Sequence, residues 1–313
     1  MTIAVLSALI RPLLEGRLPD GIDARWFASK EEAIALAPEA QIGWFDMYDK
    51  ADMAEVIARA TRLRWLNSIY AGVDGMPLDL LRERGTVVTN GAGINALTIA
   101  EYVVMAMLVM AKGYRDVARA QDARQWLLDA PGKIELAGSR ALILGAGAIG
   151  SLVRDRLAAF EVEVTSVRRS PAAPGEIGPD DWRARLAHTD WLILAVPATA
   201  DTERMVGAEE LAALPPSAHL INIARGSVVD QTALSQALAE KRLAGAWLDV
   251  TDPEPLPADD PLWAMPGVHL SMHLSGRSQT RMFERSAARF LDNLARWQRG
   301  EPVAPRVDLT LGY

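Results

Sequence analysis

The 313-residue sequence predicts an α/β protein made of two doubly wound, parallel-sheet halves. Three observations predict it. Short β-like runs alternate with helix-like runs along the whole chain, as they do in βαβ units. The β-like runs of the second half, such as "TDWLILAV" and "AHLINIA", are apolar on both faces, as expected of parallel strands covered by helices on each side. One of them leads into Gly145, Gly147 and Gly150, spaced as G-x-G-x-x-G.

Taken in order, "TIAVLSAL" opens the first series, and "KEEAIALA" reads as a helix. "AQIGWFDMY" (40–48) is the next strand, "DMAEVIARATR" its helix, and "RWLNSIY" (64–70) and "GTVVTN" (85–90) are further strands. A long helical stretch from Ala96 to about Ala120 bridges to the second series. That series runs through "SRALILGAGAIG", "EVEVTSV", "TDWLILAV", "AHLINIA" and "LAGAWLDV". The proline-rich "DPEPLPADDPLWAMPG" (252–267) reads as a stiff loop. The last helix, roughly 278–299, places Met282, Phe283, Ala287, Phe290, Leu291, Leu294 and Trp297 on one face as a core stripe.

The composition narrows the function. A formal charge of −7 argues against a nucleic-acid partner, which would favour a concentrated basic face. The absence of cysteine rules out disulfides and thiolate chemistry and fits a reducing compartment. The first residues, "MTIAVLSALIRPLL", lack a basic start and a cleavage site, and the longest apolar run, "YVVMAMLVMA" (102–111), is too short to span a bilayer. The expectation is a cytoplasmic protein with no membrane partner and no bound metal.

The glycine-rich turn carries the first chemistry. Gly145 permits a tight turn, Gly147 lets a pyrophosphate approach the backbone, and Gly150 lets helix and strand pack closely. Ala148 and Ile149 then open a helix whose N–H groups and dipole face the phosphates. Further on, where NAD-binding proteins place an acid for the ribose hydroxyls, this chain has Arg168, Arg169 and Ser170. Guanidinium groups grip a 2′-phosphate through paired, charge-assisted hydrogen bonds, so NADP(H) is the expected cofactor and NAD(H) the alternative.

Three later segments place reactive side chains after successive strands: Arg225 in "INIARGSVVD", Asp249 and Glu254 in "AWLDVTDPEP", and His273 in "VHLSMHLSG". Strand carboxyl ends are where ligands sit in open α/β sheets, so one Arg, one Glu and one His arriving there outline an acid/base site.

At these residues the chain resembles the D-isomer-specific 2-hydroxyacid dehydrogenases, and within them most resembles bacterial NADPH-dependent glyoxylate/hydroxypyruvate reductases. "NSIYAGVD" (67–74) is similar to that family's substrate-carboxylate loop and "NALTIAEYV" (95–103) to the start of its interdomain helix. The resemblance implies two Rossmann-like domains with an interdomain cleft. A flavodoxin-like substrate domain would comprise residues 1–97 plus 279–313, and the dinucleotide domain residues 98–278. It implies reduction of a small 2-keto acid to the D-2-hydroxy acid, with His273 as general acid, Glu254 favouring its charged form, and Arg225 clamping the carboxylate and polarising the carbonyl. The N–H groups of Ala71, Gly72 and Val73 would take the other carboxylate oxygen, Asp249 the nicotinamide carboxamide, and Pro197 would line the cofactor site. Trp44 would cover the mouth of the substrate site, a core tryptophan being the alternative. Family members commonly dimerise, and residues 118–132 resemble the arm that does so. Two departures stand out: the proline usual before the histidine is Met272, and the aromatic usual after "DV" is Thr251. The competing expectations are an NAD-dependent D-2-hydroxyacid dehydrogenase of other substrate range and a non-catalytic, dinucleotide-sensing corepressor.

Overall fold

The computed structural model describes residues 1–73 and 75–312. Asp74, which ends the quoted loop, and Tyr313, which ends the chain, lie outside the described residues. The chain divides into two compact units, Met1–Asn95 with Gln279–Tyr313, and Ala96–Ser278. The border falls after Asn95 rather than after residue 97, because the helix Ala96–Ala111 begins there.

The first unit is a five-stranded sheet of β1 (Thr2–Ser7), β2 (Ile22–Phe27), β3 (Ile42–Trp44), β4 (Trp65–Asn67) and β5 (Val87–Thr89). The strands are parallel, in the order β2-β1-β3-β4-β5, which is the flavodoxin-like order. Alternation along β1 shows why the sheet is covered on both faces: Val5 enters one apolar core, and Ala4 and Leu6 the other. The returning helix Met282–Gln298 closes the second core, where Phe290 lies 5.1 Å from Trp44 and 5.2 Å from Trp65, ring to ring. The tail then binds the edge of the sheet, with Val307 N–H donating to the Val88 carbonyl.

The second unit has seven strands: β6 (Arg140–Leu144), β7 (Glu163–Val167), β8 (Glu176–Ile177), β9 (Trp191–Leu194), β10 (His219–Asn222), β11 (Gly245–Leu248) and β12 (Val268–Leu270). They too are parallel, in the order β12-β11-β10-β9-β6-β7-β8. Leu142 and Leu144 of β6 face one core, and Ala141 and Ile143 face the other, which the Ala96–Ala111 helix covers. No single helix among the described residues is long and apolar enough to cross a membrane.

The structure corrects two expectations and adds a strand. The bridge helix does not run unbroken to Ala120. It stops at Ala111, and a second helix, Tyr114–Asp122, sets off at 70° to it. Gly113 makes the corner, in a left-handed conformation at φ 60°, where a Cβ would stand 2.8 Å from the Gly132 nitrogen. Strand β2, in "GIDARWF", was not foreseen, although Ile22, Ala24 and Trp26 alternate with Asp23 and Arg25 and pack on the core beside β1. Phe283, placed on the core face by spacing, lies in the first turn of its helix and is 43% exposed.

Replacing Phe290 with alanine should leave a void between two buried indoles. The expected loss is about 3–5 kcal/mol of unfolding free energy, measured by urea denaturation. A loss below about 1 kcal/mol would show that the two tryptophans close the gap.

Candidate active site

In the second unit each expected residue follows the carboxyl end of a strand. The glycine turn follows β6, Arg168 follows β7, Pro197 comes after β9, Arg225 after β10, Asp249 after β11 and His273 after β12. The chain builds β7 and β8 on one side of β6 and then crosses to β9 on the other, so the strand order reverses beside β6. Ligands in open α/β sheets bind at such a reversal.

The three glycines do different work. A Cβ at Gly145 (φ +107°) would stand 2.5 Å from the Ala195 carbonyl oxygen, and one at Gly150 would stand 2.0 Å from that of Gly145, so strand and helix require both to be bare. A Cβ at Gly147 would meet nothing within 4 Å. Its bareness serves no protein neighbour and leaves room over the start of the helix Ala148–Ala158, where the Ala148 and Ile149 N–H groups begin the first turn. The turn fits a dinucleotide pyrophosphate.

Beyond β7, the loop 168–175 carries Arg168, 49% exposed, with Arg169 and Ser170 also at the surface. A carboxylate lies against it. Glu176, at the start of β8, is only 2% exposed in its side chain. It accepts hydrogen bonds from the Ala172 and Ala173 N–H groups at 2.8 and 3.2 Å, and it lies 3.4 Å from Arg154 and 3.8 Å from Arg168. The Ala172 N–H foremost, with Arg168, Ala173 and Arg154, holds its carboxyl below the usual range against the opposing effect of burial. Pro197 is exposed, its carbonyl accepting a hydrogen bond from the Thr202 hydroxyl.

Two of the residues expected to form the acid/base site are in direct contact. His273 Nδ1 lies 2.8 Å from Glu254 Oε2, while Glu254 Oε1 accepts from the Thr251 N–H. Burial pushes the Glu254 carboxyl up, but its hydrogen bond to His273, the His273 charge, the Thr251 N–H and Arg225 outweigh it, so it titrates below the ordinary range. Thr251, found where an aromatic is usual, also donates its hydroxyl to the Pro253 carbonyl and so folds the loop that carries Glu254. Arg225 is half-buried, and Asn222 clamps its backbone by donating to the Arg225 carbonyl while accepting from the Ala224 N–H.

His273 sits in a strained turn. Met272 (φ 52°) and His273 (φ 56°) are both left-handed, and the Leu274 N–H bonds to the Ser271 carbonyl across them. Left-handed residues other than glycine cost about 1–2 kcal/mol each, so something must hold them there. Asp249 does. Its carbonyl accepts from the His273 N–H, Oδ1 from the Ser271 hydroxyl and the Leu274 and Ser275 N–H groups, and Oδ2 from the Ser275 hydroxyl. Buried to 2% exposure, with both oxygens bonded to the turn, Asp249 supports His273. Proline, with φ fixed near about −65°, does not fit the Met272 conformation.

In the first unit, the Ala71, Gly72 and Val73 N–H groups have no acceptor among the described residues. Asp46 anchors this loop, accepting from the Trp44 indole N–H, the Ser68 hydroxyl and the Ile69 N–H, each at 2.6 Å. Trp44 takes the alternative the sequence left open: at 1% exposure and packed on Phe290, it is a core residue.

Comparison with known proteins agrees with this geometry. The D-isomer specific 2-hydroxyacid dehydrogenase NAD binding domain matches residues 104–275. Glyoxylate/hydroxypyruvate reductase B of Pectobacterium carotovorum is 32% identical over 283 residues, covering 88% of this chain and 87% of that one. The chain belongs to the D-isomer specific 2-hydroxyacid dehydrogenase family. A solved family member from Aeromonas salmonicida superposes with a TM-score of 0.87 at 30% identity, covering 98% of this chain and 99% of that one. Another, from Xanthobacter autotrophicus in complex with NADPH and MES, gives 0.78 at 27% identity, covering 100% and 99%. This dehydrogenase is therefore an oxidoreductase that uses a nicotinamide dinucleotide, and its two parallel-sheet units are those of the family.

The sequence did not single out Asp46, Asn222, Ser271, Ser275 or Glu176 in this dehydrogenase. The one signal in the sequence was the pair of serines flanking His273 two residues to either side; Asp46 finds Ser68 and Ile69 across the fold, and Asn222 and Glu176 bond within four residues in loops that show no periodic pattern.

Two outcomes follow from the loops. Met272→Gly should raise the thermal unfolding midpoint, by about 1 kcal/mol of stability, whereas Met272→Pro should lower it and abolish turnover; a proline variant as stable and active as the parent would contradict the left-handed turn. Burial pushes the Asp46 carboxyl up to about 6. The folded chain thus binds this proton more tightly than the unfolded chain, whose aspartates titrate near about 3.9. The Asp46 contribution to stability should therefore rise as pH falls from 7 to 4, by an amount on the order of 2 kcal/mol relative to Asp46→Asn, in denaturation series across that range. Parallel pH profiles for the two proteins would show that Asp46 titrates normally.

Proposed function

We propose that this dehydrogenase reduces a small 2-keto acid of the glyoxylate or hydroxypyruvate type to the D-2-hydroxy acid, with NADPH preferred over NADH. The observation that carries the reading is the 2.8 Å contact between His273 Nδ1 and Glu254. With Nδ1 turned to the carboxylate, Nε2 is the ring nitrogen that remains for a substrate, and the Glu254 charge balances the imidazolium.

The nicotinamide, when bound, supplies the hydride to the keto carbon. His273 delivers the proton to the carbonyl oxygen as that oxygen becomes an alkoxide. Arg225, its backbone fixed by Asn222, pairs with the substrate carboxylate and draws charge onto the carbonyl oxygen. The Ala71, Gly72 and Val73 N–H groups are assigned to the carboxylate, supported by their lack of acceptors among the described residues. For Asp249 the bonds support positioning of His273 in place of a contact to the carboxamide. Pro197 is assigned to the wall of the cofactor site. Arg168, Arg169 and Ser170 are assigned to the 2′-phosphate, a reading supported by their exposure and by the NADPH named with the Xanthobacter relative. We also assign a homodimer joined by the 118–132 arm, on which Trp126 and Leu128 are 91% and 97% exposed.

Spectrophotometric NADPH oxidation over a panel of 2-keto acids tests the reading. Turnover is expected on glyoxylate and hydroxypyruvate, faster with NADPH than with NADH, and His273→Ala should lose at least about 100-fold in kcat. Activity that survives in His273→Ala removes the proton donor. Turnover on no member of the panel, with dinucleotide still bound, leaves a sensor rather than an enzyme.

A further inference from the structure

We propose that Glu176 is a positioning residue for cofactor choice: it sets the loop 168–175 and the Arg168 guanidinium in the form that receives an adenosine 2′-phosphate. The inference rests on the assignment of Arg168, Arg169 and Ser170 to that phosphate.

The loop "RRSPAAPG" cannot order itself. Pro171 and Pro174 have no N–H, and the segment holds no helix or strand of its own. Its two ends are tied to the sheet, where the Arg168 N–H donates to the Ile177 carbonyl and the Ser166 N–H to that of Gly175. Between those ties, Glu176 Oε2 takes the Ala172 and Ala173 N–H groups. Its other oxygen lies 3.4 Å from Arg154 Nη1 and 3.8 Å from Arg168 Nη1. Arg154 belongs to the helix that starts at the glycine turn, so a single buried carboxylate joins that helix to the arginine loop.

A carboxylate beside a phosphate site is at first sight unfavourable. Position decides which effect wins. Glu176 is 2% exposed and Arg168 49% exposed in their side chains, so the acid lies beneath the loop and the guanidinium reaches out from it. A guanidinium has five N–H donors in a rigid fork; one edge turned to Glu176 leaves others for phosphate oxygens, at a defined angle and with less rotamer freedom to lose on binding. Two arginines face the single acid, so the local balance remains positive.

The experiment compares the intact enzyme with Glu176→Gln, Glu176→Asp and Arg168→Ala. It measures KM for NADPH and NADH, and inhibition constants for adenosine 2′,5′-bisphosphate and for AMP, which lacks the 2′-phosphate. Glu176→Gln is expected to weaken NADPH and the bisphosphate about three- to tenfold, in KM rather than kcat, with NADH and AMP moving less than about twofold. Glu176→Asp, which keeps the charge, should recover part of the loss. An equal loss for both members of each pair would mean a merely structural role, and tighter binding of the bisphosphate would mean that Glu176 acts as a brake; either overturns the proposal. If Arg168→Ala erases the NADPH preference while Glu176→Gln leaves it intact, the inference fails and the arginine assignment stands. If the unaltered enzyme shows no NADPH preference, or Arg168→Ala does not change it, both fall.

Discussion

Both sheets are parallel, and this constraint shapes the rest. Parallel strands need helical crossovers that cover the sheet on both faces, so each unit buries two apolar cores, one on either side. The same constraint sends the carboxyl ends of a unit's strands to one edge. Residues far apart in sequence, such as Gly147, Arg225 and His273, then lie along the same edge of the sheet without any one loop having to be long. In the second unit the reversal of strand order beside β6 opens the space that the bare Gly147 leaves unfilled.

Loops at that edge have no ladder of backbone hydrogen bonds, and here acidic side chains supply the missing acceptors. Asp249 gathers the turn that presents His273, Glu176 the loop that presents Arg168, and Asp46 the loop that presents Ala71 to Val73. In each case the acid is wholly or partly buried and accepts from backbone N–H groups of the segment it orders. A buried carboxylate without such donors would be costly; with them it fixes a loop more firmly than packing alone. The balance differs among the three. Hydrogen bonds and cations hold Glu176 below its ordinary range, whereas burial dominates at Asp46 and pushes it to about 6.

Much of the candidate site was legible in the sequence. The G-x-G-x-x-G spacing after an apolar run, the arginines in place of an acid, and Arg225, Glu254 and His273 after successive strands are local patterns read along one strand–loop unit at a time. Trp44 was less legible. A tryptophan just after a strand gives the same signal whether it faces a site or a core, and the choice was made by Phe290, far away in sequence. Gly113 likewise gives no sign within its own stretch of sequence that Gly132 passes close by. In the sequence Met272 stands only as a departure from the family's proline. In the structure it follows from a left-handed turn that proline does not fit.

The sequence by itself determined the fold class, the parallel sheets implied by βαβ alternation, the nucleotide turn and which residues are candidates for an acid/base site, because hydrophobic periodicity and short motifs act over a few neighbouring residues. Only the tertiary structure decided which polar groups meet. Whether Asp249 serves His273 or Asp46 serves the Ala71 loop depends on distances of about 3 Å between segments more than twenty residues apart along the chain. No local pattern encodes such distances; they are set by how strands register and helices pack.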